Sequence, residues 1–183
     1  MAALITVEEF FQYVKQPLPA DTDDKYKLVE SLIYRASDYC REYVGGPIIT
    51  ESITEKIDGT GHDEIKLSKV PVLSVSSVVV DGVDKTAAIG FYEFGILYMD
   101  DVFPEGRQNV TVNYSSGYGA THEDIPQGIK QAALLICHYW FKRDTLDYSS
   151  TYGESEVITG QWRFPTTALK MLDPYKVRKM AVI

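Results

Sequence analysis

One stretch of this chain marks a change from helical to strand-like sequence. Residues 24–48 read DKYKLVESLIYRASDYCREYVGGPI. Apolar residues recur there with the helical period, at Leu28, Val29, Leu32, Ile33, Ala36, Tyr39, Cys40 and Tyr43. Gly45-Gly46-Pro47 then ends the pattern, because glycine can take the left-handed C-cap conformation and proline cannot continue a helix. We therefore predict an amphipathic helix from about Asp24 to Val44, ~30 Å long.

On the N-terminal side of this helix, the sequence predicts a shorter one. Thr6 and Glu9 have the spacing of a capping box, in which each side chain accepts a hydrogen bond from the backbone of the other residue. A helical apolar stripe follows, made of Val7, Phe10, Phe11 and Val14. Pro17 and Pro19 are expected to end this helix.

On the C-terminal side, from residue 48 to residue 118, the hydrophobic period is that of strands. Asp81-Gly82 predicts a hairpin turn, because this pair tolerates positive φ. Residues 91–99 are interrupted by Gly95, which predicts a pair of short strands. Val110, Val112 and Tyr114 alternate with polar residues, as in a strand with one buried face.

Residues 58–64, DGTGHDE, resemble a calcium-binding loop only superficially. The third and fifth positions are Thr60 and His62, and the twelfth is Lys69, so the cage of oxygen ligands is incomplete. We interpret this segment as a hairpin turn.

Helical periodicity returns after Gly117-Tyr-Gly119, which we interpret as a strand-to-helix turn because the third glycine of a dinucleotide-binding loop is missing. Thr121 and Asp124 are candidate caps for a helix over 124–143. Its predicted buried stripe is Ile129, Ala132, Ala133, Ile136, Tyr139 and Trp140. Residues 144–164 are polar and predict a loop or loose hairpin, and Pro165 begins a last helix over 166–172.

These patterns predict an α+β fold: a small bundle of about four helices, with a sheet-rich insertion between the long second helix and the third. We predict a helical body of residues 1–47 and 119–183, and an inserted β lobe of residues 48–118. The predicted core of the helical body is Leu28, Leu32, Ile33, Ala36, Ile129, Ala133 and Ile136.

The length and charge of the chain restrict its function. It has 183 residues, 45% of them apolar, and a net charge of -8, so a protein that binds nucleic acid non-specifically through phosphate neutralisation is not expected. Residues 170–183 carry four basic residues and one acid, net +3, which leaves -8 - 3 = -11 for residues 1–169. The N-terminus has no basic flank and no long apolar run, so neither a signal peptide nor a membrane span is expected.

Residues that would carry catalysis or bind a metal are scattered along the chain. His62, His122 and His138 have no companion ligand at helical i, i+4 spacing. Cys40 and Cys137 each lie inside a predicted helix, as buried free thiols in a reducing compartment commonly do. We predict no catalytic residue, no metal site and no cofactor, and we predict that the protein is not an enzyme.

A series of motifs, in this order, resembles the head-tail connector (adaptor, or head-completion) proteins of tailed bacteriophages. The motifs are TVEE at 6–9, YVGGPI at 43–48, PVLSVSSV at 71–78, the Asp81-Gly82 hairpin, NVTVNY at 109–114 before Gly117-Tyr-Gly119, IP at 125–126, IKQAAL at 129–134, and ALKMLDPYK at 168–176. The resemblance covers most of the chain, although the insertion and the stretch 144–164 are long for this family.

The resemblance implies a structural protein of the virion neck, made in the cytoplasm of the bacterial host. It implies a ring of twelve copies beneath the portal and above the head-closure or tail protein, with DNA passing through the lumen without sequence-specific binding and with no membrane contact. We predict that the C-terminal tail docks on the portal through Leu172, Pro174, Tyr175, Lys176, Val177, Arg178, Lys179, Met180 and Val182. Tyr148, Tyr152 and Trp162 are candidate contacts between subunits or with another neck protein.

Three alternatives remain open. The chain could form another neck ring, such as the head-closure stopper. It could be a carbohydrate- or protein-binding β module with helical support, which for a sugar requires a coplanar aromatic platform. Within the predicted β lobe, the only dense aromatic cluster is Phe91, Tyr92, Phe94 and Tyr98. A small hydrolase is disfavoured, because no nucleophile and base occur in a catalytic motif.

Overall fold

The computed structural model describes residues 2–145 and 164–177. These residues form two compact units. One unit contains residues 2–45 together with the described residues from Ile125 to Lys176. The other contains residues 46–124 together with Val177.

The first unit is helical. Its helices are α1 (Val7–Tyr13), α2 (Asp24–Val44), α3 (Gln127–Thr145) and α4 (Thr166–Leu172). The predicted capping box is present at α1: Glu9 N donates to Thr6 Oγ1, and Thr6 N donates to Glu9 Oε2. Gly45 ends α2 with a left-handed φ of 80°, the conformation that glycine adopts without a steric penalty.

The long helix α2 packs against each of the other helices. Its buried face consists of Val29, Leu32, Ile33, Ala36, Ser37, Cys40 and Val44. Ser37 is the polar member of this face, and its hydroxyl group makes two hydrogen bonds. It donates to the Ile33 carbonyl and accepts from Leu4 N. The second of these bonds fixes the segment before α1 against α2.

The second unit contains two antiparallel sheets. The larger sheet has the strand order β1 (Glu51–Gly59), β7 (Gly106–Ser116), β3 (Val72–Val80) and β4 (Val83–Asp84). The smaller sheet has the order β2 (Glu64–Lys66), β6 (Ile96–Tyr98) and β5 (Gly90–Tyr92). Their shared core includes Leu67, Val78, Leu97, Phe103 and Val112.

Several local predictions for this unit are confirmed. Asp81-Gly82 forms a two-residue hairpin turn with Val80 opposite Val83, and both turn residues have positive φ. Residues 91–99 contain the predicted pair of short strands, β5 and β6. On β7, the alternation of Val110, Val112 and Tyr114 places all three side chains in the core.

Three sequence expectations are wrong. Residues 58–64 do not join two strands of one hairpin, because β1 pairs with β7 and β2 pairs with β6. Leu28 is half-buried and lies outside the core. Tyr139 and Trp140 are likewise half-buried, whereas Cys137 and Phe141 are the buried residues near the end of α3. The fold class is the predicted one: α+β, with four helices in the described part of the chain and a sheet-rich insertion between α2 and α3.

Candidate functional site

The chain after α4 is held on the helical unit by a short 3-10 turn, Asp173–Tyr175. Tyr43, near the end of α2, donates a hydrogen bond of 2.6 Å from its hydroxyl to Asp173 Oδ1. This bond raises the pKa of the Tyr43 phenol, because the phenolate form could not donate it. The ammonium of Lys176 lies 4.5 Å from the centroid of the Tyr43 ring, in cation–π geometry.

Two residues of the predicted docking tail pack against the helical unit. Leu172 is fully buried. Tyr175 lies against the first turn of α3 at Gly128, where a methyl group would be 3.2 Å from its hydroxyl oxygen. Pro174 and Lys176 are exposed, and half-buried Val177 lies beside Gly46. Arg178, Lys179, Met180 and Val182 lie outside the described residues, as do Tyr148, Tyr152 and Trp162.

An aromatic stack covers part of the smaller sheet. Its members are Tyr92, Phe94 and Tyr98, which are 45%, 60% and 39% exposed. The Tyr92 ring lies 5.1 Å from the Phe94 centroid with 9° between the planes, and 5.0 Å from the Tyr98 centroid with 33° between the planes. Tyr98 also lies directly over Gly90 on the neighbouring strand, at a position that any β-carbon would occupy.

The geometry of this aromatic stack disfavours carbohydrate binding. A sugar platform needs rings that lie side by side in one plane with their faces free. Tyr92 and Phe94 are parallel, but centroids only 5.1 Å apart belong to an offset stack, because coplanar rings at that separation would overlap. Each of these two rings therefore covers a face of the other.

A basic pocket opens on the helical unit between the end of α1 and the last turns of α3. It is an open depression of about 570 Å³, lined by Tyr13, Val14, Lys15, Gln16, His138, Phe141 and Lys142. Among the residues that the structure describes, two lysines and no carboxylate contribute to this lining. Lys25, from the start of α2, adds a third ammonium group nearby: it donates a 2.7 Å hydrogen bond to Gln16 and lies 5.8 Å from the Phe141 centroid.

Aromatic packing holds the floor of the basic pocket. His138 meets Tyr13 edge-on with 5.6 Å between the ring centroids, and Phe10 lies edge-on to Phe141 at 5.3 Å. Burial lowers the pKa of His138, and the nearby Lys142 lowers it further. The imidazole is therefore neutral at pH 7, and the positive charge of the pocket comes from its lysines.

The cysteines and histidines do not assemble into a reactive centre within the described ranges. Cys40 and Cys137 are both buried, and burial raises the pKa of each thiol to about 12, which leaves them protonated and unreactive. No cluster of three or more histidine, cysteine or carboxylate side chains that could hold a metal ion occurs in residues 2–145 and 164–177. In the same ranges no helix is both long enough and apolar enough to cross a bilayer.

The basic pocket was not found from the sequence. Its residues come from two helices and the loop after α1, and no motif links Lys15 to Lys142 along the chain. The one available signal was the position of His138 and Lys142, four residues apart on the same face of a helix. The aromatic stack, in contrast, is visible as a dense aromatic run, although its ring geometry is not.

Comparison with known proteins identifies the fold. A chain in the virion of a native gene transfer agent particle has a TM-score of 0.65 and 14% identity, covering 98% of this chain and 93% of that one. A chain in the neck of the native particle, computed with C12 symmetry, has a TM-score of 0.63 and 13% identity, covering 97% of this chain and 91% of that one. A chain in the neck of the empty particle, computed with C6 symmetry, has a TM-score of 0.62 and 16% identity, covering 98% of this chain and 93% of that one.

No curated protein sequence matches this chain. The family model for head completion proteins does match, over residues 3–178, and this confirms the resemblance drawn from the motifs. Because that match spans nearly the whole sequence, the chain belongs to the head completion protein family, a family of structural virion proteins.

Proposed function

We propose that this protein is a head-tail connector, or adaptor, which forms a ring of twelve copies beneath the portal of a tailed phage. The ring extends the DNA channel and joins the capsid to the next neck or tail protein. The helical unit is the connector body, and the β unit is an inserted lobe. The protein acts by assembly and catalyses no reaction.

One observation carries this proposal: the fold matches, over 97–98% of the chain, chains from particle necks computed with C12 and C6 symmetry. A ring of identical copies needs two different surfaces on each subunit, one for each neighbour. The chain offers chemically distinct candidates for these surfaces, because one unit carries the aromatic stack and the other carries the basic pocket.

The charge of the chain suits a DNA conduit. With a net charge of -8, the protein has no general attraction for phosphate, and a channel wall without such attraction lets DNA slide. A strongly basic wall would instead bind the DNA backbone through counterion release.

We propose that the C-terminal tail docks on the portal, with separate roles for its two parts. Leu172 and Tyr175 anchor the tail on the helical unit, where the first is buried and the second contacts α3. Pro174 and the residues from Lys176 onward supply the contact with the portal, in which Lys176, Arg178 and Lys179 pair with portal carboxylates and Val177, Met180 and Val182 add apolar surface.

The test is co-expression with the portal protein of the same phage, followed by native mass spectrometry of the purified complex. We expect twelve copies of this chain on each twelve-subunit portal. The double variant Arg178→Glu/Lys179→Glu should lose portal binding, whereas the control Lys170→Glu, at an exposed position of α4, should retain it.

The main alternative, a head-closure stopper, predicts a different outcome in the same experiment. A stopper would not bind the isolated portal, but it would bind a portal that already carries its adaptor ring. Binding only to the preassembled complex would therefore reassign this chain to the next position in the neck.

A further inference from the structure

The side chains of the aromatic stack are exposed at the surface of the β unit. Phe94, at one end, is 60% exposed, and neighbouring Phe91 is 36% exposed. The stack is nevertheless ordered, because Gly90 leaves room for Tyr98 and the Tyr92 ring contacts both of its neighbours. An ordered group of large apolar side chains at the surface is characteristic of a protein contact.

The chain segment that carries the aromatic stack is acidic. Residues 86–106 contain Glu93, Asp100, Asp101 and Glu105, with no lysine or arginine. These four carboxylates are exposed, and Glu93 lies between two residues of the stack along the chain. The adjacent strand β2 contributes Glu64 and Lys66, whose charges cancel. A partner for this surface must therefore supply positive charge together with an apolar recess.

The basic pocket has both properties. Lys15 and Lys142 are exposed at its rim, and Tyr13 and Phe141 form apolar parts of its wall. A depression of about 570 Å³ lies within the range of about 300–1,000 Å³ that accommodates a compact ligand, which is enough for aromatic side chains of an inserted strand pair. Lys25 adds positive charge beside the Phe141 ring.

We infer that the aromatic stack of one copy docks in the basic pocket of a second copy. Phe94 and Tyr92 enter the pocket against Tyr13 and Phe141, while Glu93 and Asp100 face Lys15 and Lys142. This inference rests on the proposed ring and specifies its subunit contact. Because the two surfaces differ, the contact is heterologous, and its repetition forms a ring when the rotation from copy to copy closes.

The test uses complementary single-surface variants. Phe94→Asp destroys the aromatic surface and leaves the pocket intact, and Lys142→Glu reverses a pocket charge and leaves the aromatic surface intact. Each variant alone should stay at the monomer mass of 20.6 kDa. Mixed together, the two variants retain one intact contact per pair, so they should form a 1:1 complex and nothing larger in sedimentation velocity.

Controls and a rescue make the result specific. Val83→Asp, on β4 of the larger sheet, and Lys170→Glu, on α4, change exposed residues outside both surfaces, and these variants should associate like the wild type. Glu93→Lys, like Lys142→Glu, should abolish ring formation, since each places like charges opposite one another. With both changes in one chain, opposite charges meet again in every contact of the ring, and association should recover.

The outcomes separate this inference from the proposed function. If the mixed variants show no complex up to about 1 mM by chemical-shift perturbation, the inferred contact is wrong. It is equally wrong if Phe94→Asp and Lys142→Glu each still form rings, or if Phe94→Asp abolishes binding to the portal and leaves self-association unchanged.

Portal binding through the tail would survive loss of the subunit contact, so failure of the proposed function would appear separately in the co-expression experiment. If Phe94→Asp does not fold, Glu93→Lys takes its place in the mixture.

Discussion

At the scale of single residues, His138 links stability to pH. The pKa of His138 is lower in the folded protein than its ordinary value of about 6.5. At a pH between these two pKa values, the unfolded chain therefore binds more protons than the folded one. Stability therefore decreases as the pH falls through this window, because protonation of His138 favours unfolding. The aromatic rings of Tyr13 and Phe10 on either side offer no compensating negative charge.

We predict that the midpoint of thermal unfolding decreases less in His138→Gln than in the wild type between about pH 7.5 and about pH 5.5. Differential scanning calorimetry at both pH values provides the measurement. His62→Gln, at an exposed position of the β unit, is the matched control and should retain the wild-type response. An equal decrease in all three proteins would show that His138 does not contribute.

Neighbouring residues also show what the sequence can predict at this scale. Leu28 and Leu32 both lie on the apolar stripe of α2, yet Leu32 is 2% exposed and Leu28 is half-buried. The helical period defines the direction of the stripe, whereas its buried width depends on which helices cover it. That information is tertiary, and for the same reason Tyr139 and Trp140 were wrongly assigned to the core.

At the scale of elements, Gly90 leaves the space that the Tyr98 ring occupies on the smaller sheet. Its position opposite Tyr98 is a place where only glycine allows the ring to lie across the strand. We predict that Gly90→Ala displaces Tyr98, disrupts the aromatic stack and destabilises the protein by about 1–3 kcal/mol. Near-ultraviolet circular dichroism reports the stack, and urea unfolding reports the stability.

A double-mutant cycle with Tyr98→Ala tests the cause of this destabilisation. If the methyl group acts through the Tyr98 ring, Gly90→Ala should cost little in a chain that already carries Tyr98→Ala. A full additional loss would place the strain in the backbone of β5 instead.

The individual strands and helices were accessible from the sequence because each depends on a local pattern, such as the Asp81-Gly82 turn or the Thr6 capping box. Strand pairing was accessible only between neighbours along the chain, β3 with β4 and β5 with β6. Residues 58–64 look like a hairpin turn locally, and only the pairing of β1 with β7 shows that they connect two different sheets. Such pairing depends on contacts between distant residues, which local propensity does not encode.

At the scale of the whole molecule, we expect the two parts of the C-terminal tail to contribute differently, the part up to Lys176 to stability and the later residues to assembly. Deletion of residues 178–183 leaves the Tyr43–Asp173 hydrogen bond and the Tyr175 contact with α3 in place. Deletion of residues 174–183 removes Tyr175 and Lys176. We predict that the shorter deletion keeps the wild-type free energy of unfolding, and that the longer one lowers it by about 1–3 kcal/mol.

Urea unfolding of both deletion variants tests this, together with Tyr175→Ala in the full-length chain, which should reproduce most of the longer deletion's effect. Both deletions should lose portal binding if the tail docks as proposed. Equal stability of the two truncated proteins would show that the 3-10 turn contributes nothing to the helical unit.

The family was predictable at this scale because it depends on the order of many short motifs, from the capping box at Thr6 to the segment ending at Lys176. The basic pocket was not predictable, because Lys15 and Lys142 are brought together only by the packing of α1 against α3.

The position of β7 has a consequence for biosynthesis. This strand pairs with both β1 and β3, and of the seven strands that the structure describes it is the last to leave the ribosome. The ribosome adds 116 - 59 = 57 residues between the end of β1 and the end of β7, which takes about 3–11 s at roughly 5–20 residues per second. Once β3 has been added, the nascent chain carries β1 and β3 without the strand that lies between them, and until β7 is added these unpaired edges are open to pairing with other chains.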